Sequence, residues 1–211
     1  MKKLLIIVFL FAFGVSFGQE KEGNLSIKKG TWNLGGELSF GKSNYENKGA
    51  TSYETTNLNF SFSPKAGYAI SDNLIIGLGL GYSYQNFEGS ENSFIQNMKS
   101  NSLSVFPYVR KHYSLSRKFS LYLQGEIKYS KSWFKQDNKN YNTSTDNNLF
   151  IGIRPGINYF LNKNFALEAS IGSLGYSKSK IIGYTSEELK RDSFSLSLNS
   201  SNMFFGLSYY F

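Results

Sequence analysis

The sequence predicts an all-β fold: an eight-stranded antiparallel, up-and-down transmembrane β-barrel with short turns on one side and long loops on the other. Apolar and polar residues alternate with a period of two in eight stretches, and short and long connections between them follow in turn. The composition agrees, because 20 glycines, 15 tyrosines and 19 phenylalanines accompany a mean hydropathy of -0.33. A chain that is aromatic yet polar on average must sort its residues onto separate faces.

The first predicted strand has the clearest alternation. Its apolar parity holds Trp32, Leu34, Gly36, Leu38 and Phe40, and mostly small or polar residues fill the positions between them. This pattern is typical of a strand with two different faces. The other predicted strands are 58–70, 74–83, 103–109, 119–129, 149–161, 165–171 and 203–211.

The connections predict the topology. The short links are 71–73, 114–118 and 162–164, and the long links are 44–54, 88–100, 131–147 and 176–193. Because short and long links alternate, all the long links leave on the same side. Barrels of the bacterial outer membrane have an even number of strands, short periplasmic turns and longer extracellular loops. We therefore expect this orientation here.

The beginning of the chain predicts export. Two lysines precede an apolar run, 4–15, and small residues follow, which is the pattern of a secretory signal peptide. The run is shorter than the roughly 18 to 20 residues that a membrane-spanning helix needs. We interpret 1–18 as the signal peptide, 19–30 as a periplasmic N-terminal segment and 31–211 as the outer-membrane β-barrel.

Charge and cysteine content exclude several kinds of protein. The formal net charge of +8 arises from 23 basic and 15 acidic residues that are spread without a basic block, which argues against a nucleic-acid partner. The chain has no cysteine, so it can form neither a disulfide nor a thiolate metal site. Its acidic residues lack the spacing of a calcium-binding loop. We expect no metal and no other cofactor.

The polar parity indicates which face points inward. Gly30, Thr31 and Trp32 form a Gly-x-Trp that lipocalins also carry at their first strand, which would place the apolar face inside a soluble barrel. The polar parity, however, is mostly Gly, Ser and Asn rather than the Lys and Glu of a soluble surface. Small residues suit the narrow lumen of eight strands, whereas Leu, Ile, Phe and Tyr would overfill it. The apolar face is therefore predicted to contact lipid.

Seven ionisable residues share the polar parity at or near mid-strand. They are Glu37, Lys65, Arg110, Glu126, Lys128, Arg154 and Glu168. Pointing the four cations into hydrocarbon would cost about 2 to 4 kcal/mol each at the midplane, so we expect all seven inside, as a lumen charge network. Three acids and four bases nearly neutralise one another there. Glu126 and Arg154 lie at similar distances from their short turns, which predicts an ion pair between them.

The three prolines predict irregular points in the barrel. Pro64, Pro107 and Pro155 each lie seven residues before a short turn. Since proline lacks an amide donor, we expect a kink or bulge at each. The apolar parity also changes ahead of the last strand, which predicts a further bulge near 199–201.

The last strand has an apolar outward parity. It holds Phe205, Leu207, Tyr209 and Phe211. This pattern resembles the C-terminal signal that the outer-membrane barrel insertion machinery recognises. The same strand must pair with the first strand, because lipid leaves no partner for an open edge.

Four motifs carry a family resemblance. They are GTWNLGGELSF in the first strand, SPKAGY and RPGINY in two hairpins, and FGLSYYF at the end. With these motifs, the exported chain resembles the outer membrane protein beta-barrel domain family, which is similar in architecture to OmpX and to the barrel of OmpA. The resemblance implies a protein of the cell outer membrane, surrounded by its lipid, and a monomer with a plugged interior.

The sequence favours a structural or adhesive role without catalysis, carried by the extracellular loops. Segment 131–147 combines Trp133, Phe134 and Tyr141 with Lys and Asn, a composition that can dock on polysaccharide, lipopolysaccharide or a protein partner. Four lysines near the outer rim can pair with lipopolysaccharide phosphates. They are Lys42, Lys131, Lys178 and Lys180.

Two alternatives remain open. A channel for small solutes or hydrophobic ligands would need a path around the inward charges. An enzyme that modifies outer-leaflet lipid would need a histidine with a serine and an acidic partner. The single histidine, His112, is expected at the periplasmic rim, and although Ser114 and Ser116 are near in sequence, no acidic residue lies close by. We expect no catalytic residue.

Overall fold

The computed structural model describes residues 25–48, 52–91, 94–136, 144–183, 187–197 and 203–211. The predicted signal peptide, residues 19–24 of the predicted periplasmic segment and the bulge expected near 199–201 lie outside these residues. Within them, no helix is both long and apolar enough to cross a membrane.

The described residues form ten β-strands in one antiparallel sheet. The strands are β1 (Trp32–Lys48), β2 (Ser52–Ser71), β3 (Leu74–Glu91), β4 (Phe94–Ser114), β5 (Phe119–Gln136), β6 (Ser144–Phe160), β7 (Phe165–Ile171), β8 (Ser173–Ile182), β9 (Glu188–Ser197) and β10 (Met203–Tyr210). β1 to β6 each pair with the next strand, β6 pairs with β7, β7 with β10, and β10 returns to β1. The sheet is therefore closed, as predicted.

Ten strands fill only eight positions around the barrel. β7 and β8 both pair with β6, at its periplasmic and extracellular ends respectively. β10 pairs with β7, and β9 pairs with β8. β7 and β8 thus continue one another as the seventh barrel strand, and β9 and β10 together form the eighth. This arrangement confirms the predicted eight-stranded architecture and adds two segments that the sequence pattern did not predict as strands.

The barrel closes between its first and last strands. Asn33 is opposite Tyr210 and Leu38 is opposite Phe205, in uninterrupted antiparallel register. Two further backbone bonds between Trp32 and Phe211, of 2.8 and 3.0 Å, extend the ladder to the periplasmic rim. Backbone groups that would be exposed to lipid at an open edge are therefore paired along this seam.

The periplasmic turns are short, as expected. Residues 72–73 connect β2 to β3, 115–118 connect β4 to β5, and 161–164 connect β6 to β7. Asn73 has a φ of 61°, a left-handed conformation that Asn tolerates better than most residues. These turns hold neighbouring strands in register at the end of the barrel where the lumen is most tightly filled.

The outer connections are mostly strand. β1 to β6 contain 17 to 21 residues each, whereas crossing the bilayer takes about 9 to 11. The predicted loop 176–193 is largely a hairpin of β8 and β9. Antiparallel pairing continues past the membrane because each added pair satisfies backbone groups without a change of register. Much of the extracellular part is therefore ordered sheet rather than loop.

The prolines affect the ladder less than expected. On the β3 side, pairing skips Pro64 and resumes in the same register, and it does so again at Pro107 on the β5 side. Near Pro155 the register shifts, which marks a bulge. Ile153 is opposite Leu174 and Gly156 is opposite Ser170, so two residues of β6 between these pairs face three residues, one of which is Gly172. A further register shift lies between Ala69 and Ser71, at the periplasmic end of β2.

Gly172 has a φ of 67°, which a residue with a side chain adopts only at a cost. The bulge at Gly172 separates β7 from β8. The expected bulge is thus confirmed at one proline, on the facing strand, and is absent at the other two.

The faces of the sheet are assigned as predicted. Alternate side chains of the strands point outward and are large and apolar. Examples with high exposure are Trp32, Leu38, Phe40, Leu80, Ile127, Ile151 and Phe205. An apolar belt of this kind is expected on a barrel surface that contacts lipid.

The lumen, however, holds aromatic side chains that the sequence analysis did not place there. Phe106, Tyr108 and Tyr122 are buried inside the barrel. They fit because inward-facing glycines lie beside them: Gly79 is in close contact with the Phe106 ring, and a Cβ added there would clash with it. Small residues on one strand therefore make room for rings on the next.

Candidate functional site

The lumen is the candidate functional site, because the chemically distinctive side chains converge there. All seven predicted residues lie on the inner face of the barrel. Glu37 comes from β1, Lys65 from β2, Arg110 from β4, Glu126 and Lys128 from β5, Arg154 from β6 and Glu168 from β7. Residues far apart in sequence meet because every barrel strand presents its polar parity to the same narrow space.

Glu168 is the centre of the deeper half of the network. It accepts hydrogen bonds from Lys65 Nζ at 2.7 Å and from Arg110 Nη1 at 2.8 Å. Ser208 on β10 donates a third bond to the same carboxylate. Lys65 also donates to Glu37 Oε1 at 2.7 Å. Glu168 thus binds three partners and Lys65 binds two, which satisfies charges that are almost completely buried.

Gln124 connects this half to the second ion pair. Its side-chain oxygen accepts from Arg110 Nε at 3.0 Å and Nη2 at 2.7 Å. Its amide donates to Glu126 Oε2 at 2.7 Å. Arg154 Nη2 then reaches Glu126 Oε1 at 3.0 Å, so the pair expected from the sequence is present. The result is one continuous chain of bonds across the lumen.

Sequence reasoning missed Gln124 and Ser208 because they are uncharged. Parity alone would have indicated them, since Gln124 shares the inward parity of Glu126, and Ser208 lies between outward-facing residues of β10. A search restricted to ionisable groups finds Arg110 and Glu126 but not the Gln124 side-chain amide that joins them.

Arg110 is held by aromatic rings as well as by acids. Its guanidinium carbon lies 4.1 Å from the centroid of the Tyr122 ring and 5.6 Å from that of Tyr108. Its side chain is 0% exposed. A planar cation can stack on rings and bind a carboxylate and an amide at the same time, which a lysine could not do.

An apolar floor lies on the periplasmic side of the network. We define it as Ile27, Ala69, Ile75, Phe160 and Ala166, which are all buried in one cluster. Its strand residues adjoin the short turns, so the floor covers the end of the lumen that faces the periplasm.

Residues 25–31 form a docked N-terminal segment that completes this floor. The Ile27 amide donates to Asn73 Oδ1 at 2.9 Å, and its carbonyl accepts from the Asn73 amide at 2.8 Å. Gly30 and Thr31 exchange backbone bonds with Ala69, each of 2.9 Å. The segment thereby fixes Ile27 beneath the lumen. The sequence analysis placed residues 19–30 in the periplasm and did not predict this contact.

Asp72 in the first periplasmic turn binds the same segment from outside. It accepts from the Lys29 amide at 2.9 Å and from Lys28 Nζ at 3.0 Å. The hydrogen bond from the Lys29 amide, followed by the one from the Lys28 ammonium group, lowers the pKa of Asp72 below its ordinary value. The segment therefore carries an acid-sensitive tie to the barrel.

His112 is a packed side chain of the lumen. Its ring lies 5.9 Å from the Tyr122 ring and 6.4 Å from the Tyr210 ring, and Nδ1 lies 3.5 Å from Ser120 Oγ. Ser114 instead donates to the Leu25 carbonyl. The residue is 2% exposed, so a substrate in the outer leaflet has no path to it along the described residues.

A small cavity opens on the other side of the network. It has a volume of about 30 Å³ and is bordered by Lys65, Lys128 and Arg154 together with Glu37 and Glu126. The Arg154 side chain is 16% exposed, whereas that of Glu168 is 1% exposed. Among the described residues, burial is thus greater at Glu168 than at Arg154, which borders the cavity.

The outer hairpins carry the predicted docking residues. Lys131 Nζ lies 5.6 Å from the Trp133 ring on β5, and Tyr141 lies outside the described residues. On the β8–β9 hairpin, Lys180 forms an ion pair with Glu188 at 2.8 Å. Lys42 and Lys178 are exposed. These lysines are distributed over several hairpins rather than collected in one site.

The four residues of the predicted insertion signal point outward at the end of the chain. Three of them lie on β10, and the fourth, Phe211, directly follows it. Phe205, Leu207, Tyr209 and Phe211 are all exposed. Tyr209 also packs against Phe165 on β7, with ring centroids 4.7 Å apart. They form a continuous apolar strip beside the closing seam.

A comparison with protein families agrees with this geometry. The family model described as outer membrane protein beta-barrel domain matches residues 7–211. Among solved structures, Neisserial surface protein A is 15% identical with a TM-score of 0.46, covering 87% of this chain and 100% of that chain.

Two further solved structures are similar. OprG from Pseudomonas aeruginosa is 13% identical with a TM-score of 0.47, over 91% of this chain and 99% of that one. Ail, the attachment invasion locus protein of Yersinia pestis, is 17% identical with a TM-score of 0.42, over 87% and 99%. No curated protein matches the chain.

Proposed function

Because the chain belongs to the outer membrane protein beta-barrel domain family, we propose that it is a non-enzymatic integral protein of the outer membrane with a structural or adhesive role. In this proposal the lumen stabilises the barrel, and the extracellular hairpins make the functional contacts. The supporting observation is that the interior is filled by bonded side chains while the outer hairpins are long, ordered and exposed.

The filled interior argues against a solute channel. A passing solute would have to displace the bonds that join Glu168, Arg110 and Gln124 and then the apolar floor below them. Leaving one of these charges without its partner costs about 3 to 5 kcal/mol in a buried site. Thermal motion alone would therefore open the lumen only rarely.

The position of the histidine argues against an outer-leaflet enzyme. His112 is buried beside the periplasmic floor, and Ser120 is its nearest hydroxyl partner, at 3.5 Å. A general base must reach the proton that it abstracts, and the described contacts of the buried His112 ring are with Tyr122, Tyr210 and Ser120. Glu168 does not orient it either, since its oxygens bind Lys65, Arg110 and Ser208.

The outer surface supplies the contacts that an adhesive role requires. On the β8–β9 hairpin, Phe194 is 74% exposed and Leu189 is 55% exposed. Exposed apolar side chains bordered by charges are typical of contact surfaces. The lysines of the same hairpin, Lys178, Lys180 and Lys190, are exposed beside them and suit lipopolysaccharide phosphates.

The apolar strip beside the seam suits a second kind of partner. We assign Phe205, Leu207, Tyr209 and Phe211 to contact with the barrel insertion machinery during assembly. After insertion the same side chains face lipid.

The test uses cells that carry the full chain or the variant Leu189→Ser/Phe194→Ser. We expect the variant to fold, since both side chains are exposed, and to reduce attachment of cells to mucin-coated wells several-fold. Heat-modifiable gel mobility checks folding, and the variant Ser193→Ala/Ser195→Ala on the same strand is the matched control.

A structural role is tested separately, by comparing the detergent sensitivity of cells that lack the gene with that of the parent cells. We expect deletion to raise that sensitivity if the barrel contributes to envelope integrity. Unchanged attachment in the double variant together with unchanged detergent sensitivity in the deletion strain would refute the proposal.

A further inference from the structure

The lumen network leaves one cation without an acid. Glu168 binds Lys65 and Arg110, Glu126 binds Arg154, and Lys65 also binds Glu37. Among the described residues, none forms an ion pair with Lys128. Within the lumen charge network, three acids and four bases therefore leave one positive charge in excess.

The surroundings of Lys128 do not replace the missing acid. Its ammonium nitrogen lies 5.7 Å from the Phe106 ring centroid, and Phe150 is its register partner on β6. A cation over a ring is attracted to it, but less strongly than to a counter-ion. A buried ammonium group without a counter-ion loses much of its hydration with little in return.

The cavity described above lies directly beside this group. Lys65, Lys128 and Arg154 reach it from three different strands, and Glu37 and Glu126 lie on its border. The oxygens of Glu126 are already bound to Arg154 and to Gln124. The cations around the cavity thus outnumber the acids.

The size of the cavity limits what it can hold. A volume of about 30 Å³ has room for one or two water molecules or one monatomic ion. It is too small for phosphate, for a sugar or for a lipid headgroup. Ser63, which is small, lines the cavity, and Gly81, which has no side chain, lies next to it. These residues leave room for a small ion to enter from the extracellular side.

We propose that this cavity binds a single chloride-sized anion, which acts as the counter-ion of Lys128 and completes the charge balance of the lumen. The proposal goes beyond the structural or adhesive role, since it concerns the interior and holds whichever partner the hairpins bind.

The test is urea unfolding of the refolded full chain in detergent micelles, in sodium chloride and in sodium gluconate at equal ionic strength. An anion that binds only the folded barrel stabilises it by mass action. We expect the ratio of folded to unfolded protein to rise with chloride concentration. Once chloride exceeds its dissociation constant, the ratio should rise by up to tenfold for each tenfold increase in chloride concentration. Gluconate is too large for the cavity and should not act this way.

The variant Lys128→Met should lose the difference between chloride and gluconate. Lys131→Met is the matched control, because Lys131 lies on the same strand and over a ring, at 5.6 Å from Trp133, but does not border the cavity. General salt effects act on both variants alike. A chloride effect that persists in Lys128→Met, or is absent from the native chain, would overturn the proposal.

A direct readout covers the case in which Lys128→Met does not fold. Crystals of the native chain grown in sodium bromide should give an anomalous scattering peak in the cavity, next to the Lys128 ammonium group. A cavity without that peak would contradict the site regardless of the behaviour of any variant.

Discussion

At the scale of single residues, the lumen is held by side chains that depend on one another. Glu126 is bound by both Arg154 and Gln124, and Arg110 is bound by both Glu168 and Gln124. Because each group has more than one partner, the loss of one charge disturbs several bonds. Such networks are stable when complete and costly when partly broken.

The pair Glu126 and Arg154 gives the first prediction. Glu126→Arg or Arg154→Glu alone places like charges side by side and should destabilise the barrel by about 3 to 5 kcal/mol. The double swap restores one pair of opposite charges and should recover a substantial part of that loss. Urea unfolding in micelles measures all four proteins, and a double swap no more stable than either single variant would show that the two groups are not coupled.

The contact between Gly79 and Phe106 gives the second prediction. A Cβ at Gly79 would overlap the Phe106 ring, so Gly79→Ala should destabilise the barrel by about 1 to 3 kcal/mol. Gly125→Ala is the matched control, because its Cβ would meet only Val109 Cγ1, at 3.5 Å, and its effect should be close to neutral. Equal losses of unfolding free energy in the two variants would contradict this account of the lumen.

The alternation along each strand predicted which side of the barrel most residues face. It placed Glu37 and Lys65 inside and Leu38 outside, since the period of a strand is fixed by its geometry. It did not predict the buried position of Phe106, because an inward ring requires a glycine opposite it on the neighbouring strand. That condition depends on register, which a single strand does not contain.

At the scale of elements, the contact that docks the N-terminal segment depends on pH. Asp72 has a lowered pKa, caused first by the Lys29 amide and then by Lys28. Because the pKa of Asp72 is lowered in the folded chain, its carboxylate stabilises the docked segment at pH values above the unfolded pKa, near 3.8. This stabilisation is lost as the pH falls through the folded pKa.

The third prediction follows from that sign. Amide hydrogen exchange by NMR in micelles should show a protected Lys29 amide at pH 6 and loss of protection as the pH falls well below 3.8. Asp72→Asn should lower the protection factor at pH 6 by roughly threefold, since the tie is exposed and screened by solvent. Asp146→Asn on the extracellular side is the control. Equal protection of the Lys29 amide in the native chain and in Asp72→Asn would show that Asp72 does not hold the docked segment.

The outer strands show where element prediction reached its limit. Strands within the membrane were recognised because lipid requires large apolar residues at alternate positions. Beyond the membrane both faces of the sheet contact water. Lys178 and Lys180 therefore lie at outward positions that apolar residues would occupy within the membrane. The hairpin of β8 and β9 was read as a loop for this reason, although Phe194 and Leu196 still alternate with serines.

At the scale of the whole molecule, the barrel combines an apolar exterior, a bonded interior and a closed periplasmic end. The exterior and the eight strand positions were predictable, because both follow from alternation and from the need to leave no edge in lipid. The closure by Ile27 was not, since a short segment before the first strand carries no periodic signal. The bonds to Asn73 that hold it depend on a turn 46 residues away.

Single-channel recording in planar bilayers shows whether this interior is sealed. The refolded full chain, with its closed state verified by heat-modifiable mobility, is added to one side of the bilayer. We predict a baseline without stable conductance steps, because the ion pairs of Glu168 with Lys65 and Arg110 and the floor beneath them block the path. Uniform, long-lived steps that recur with each insertion would contradict a sealed interior and favour the channel.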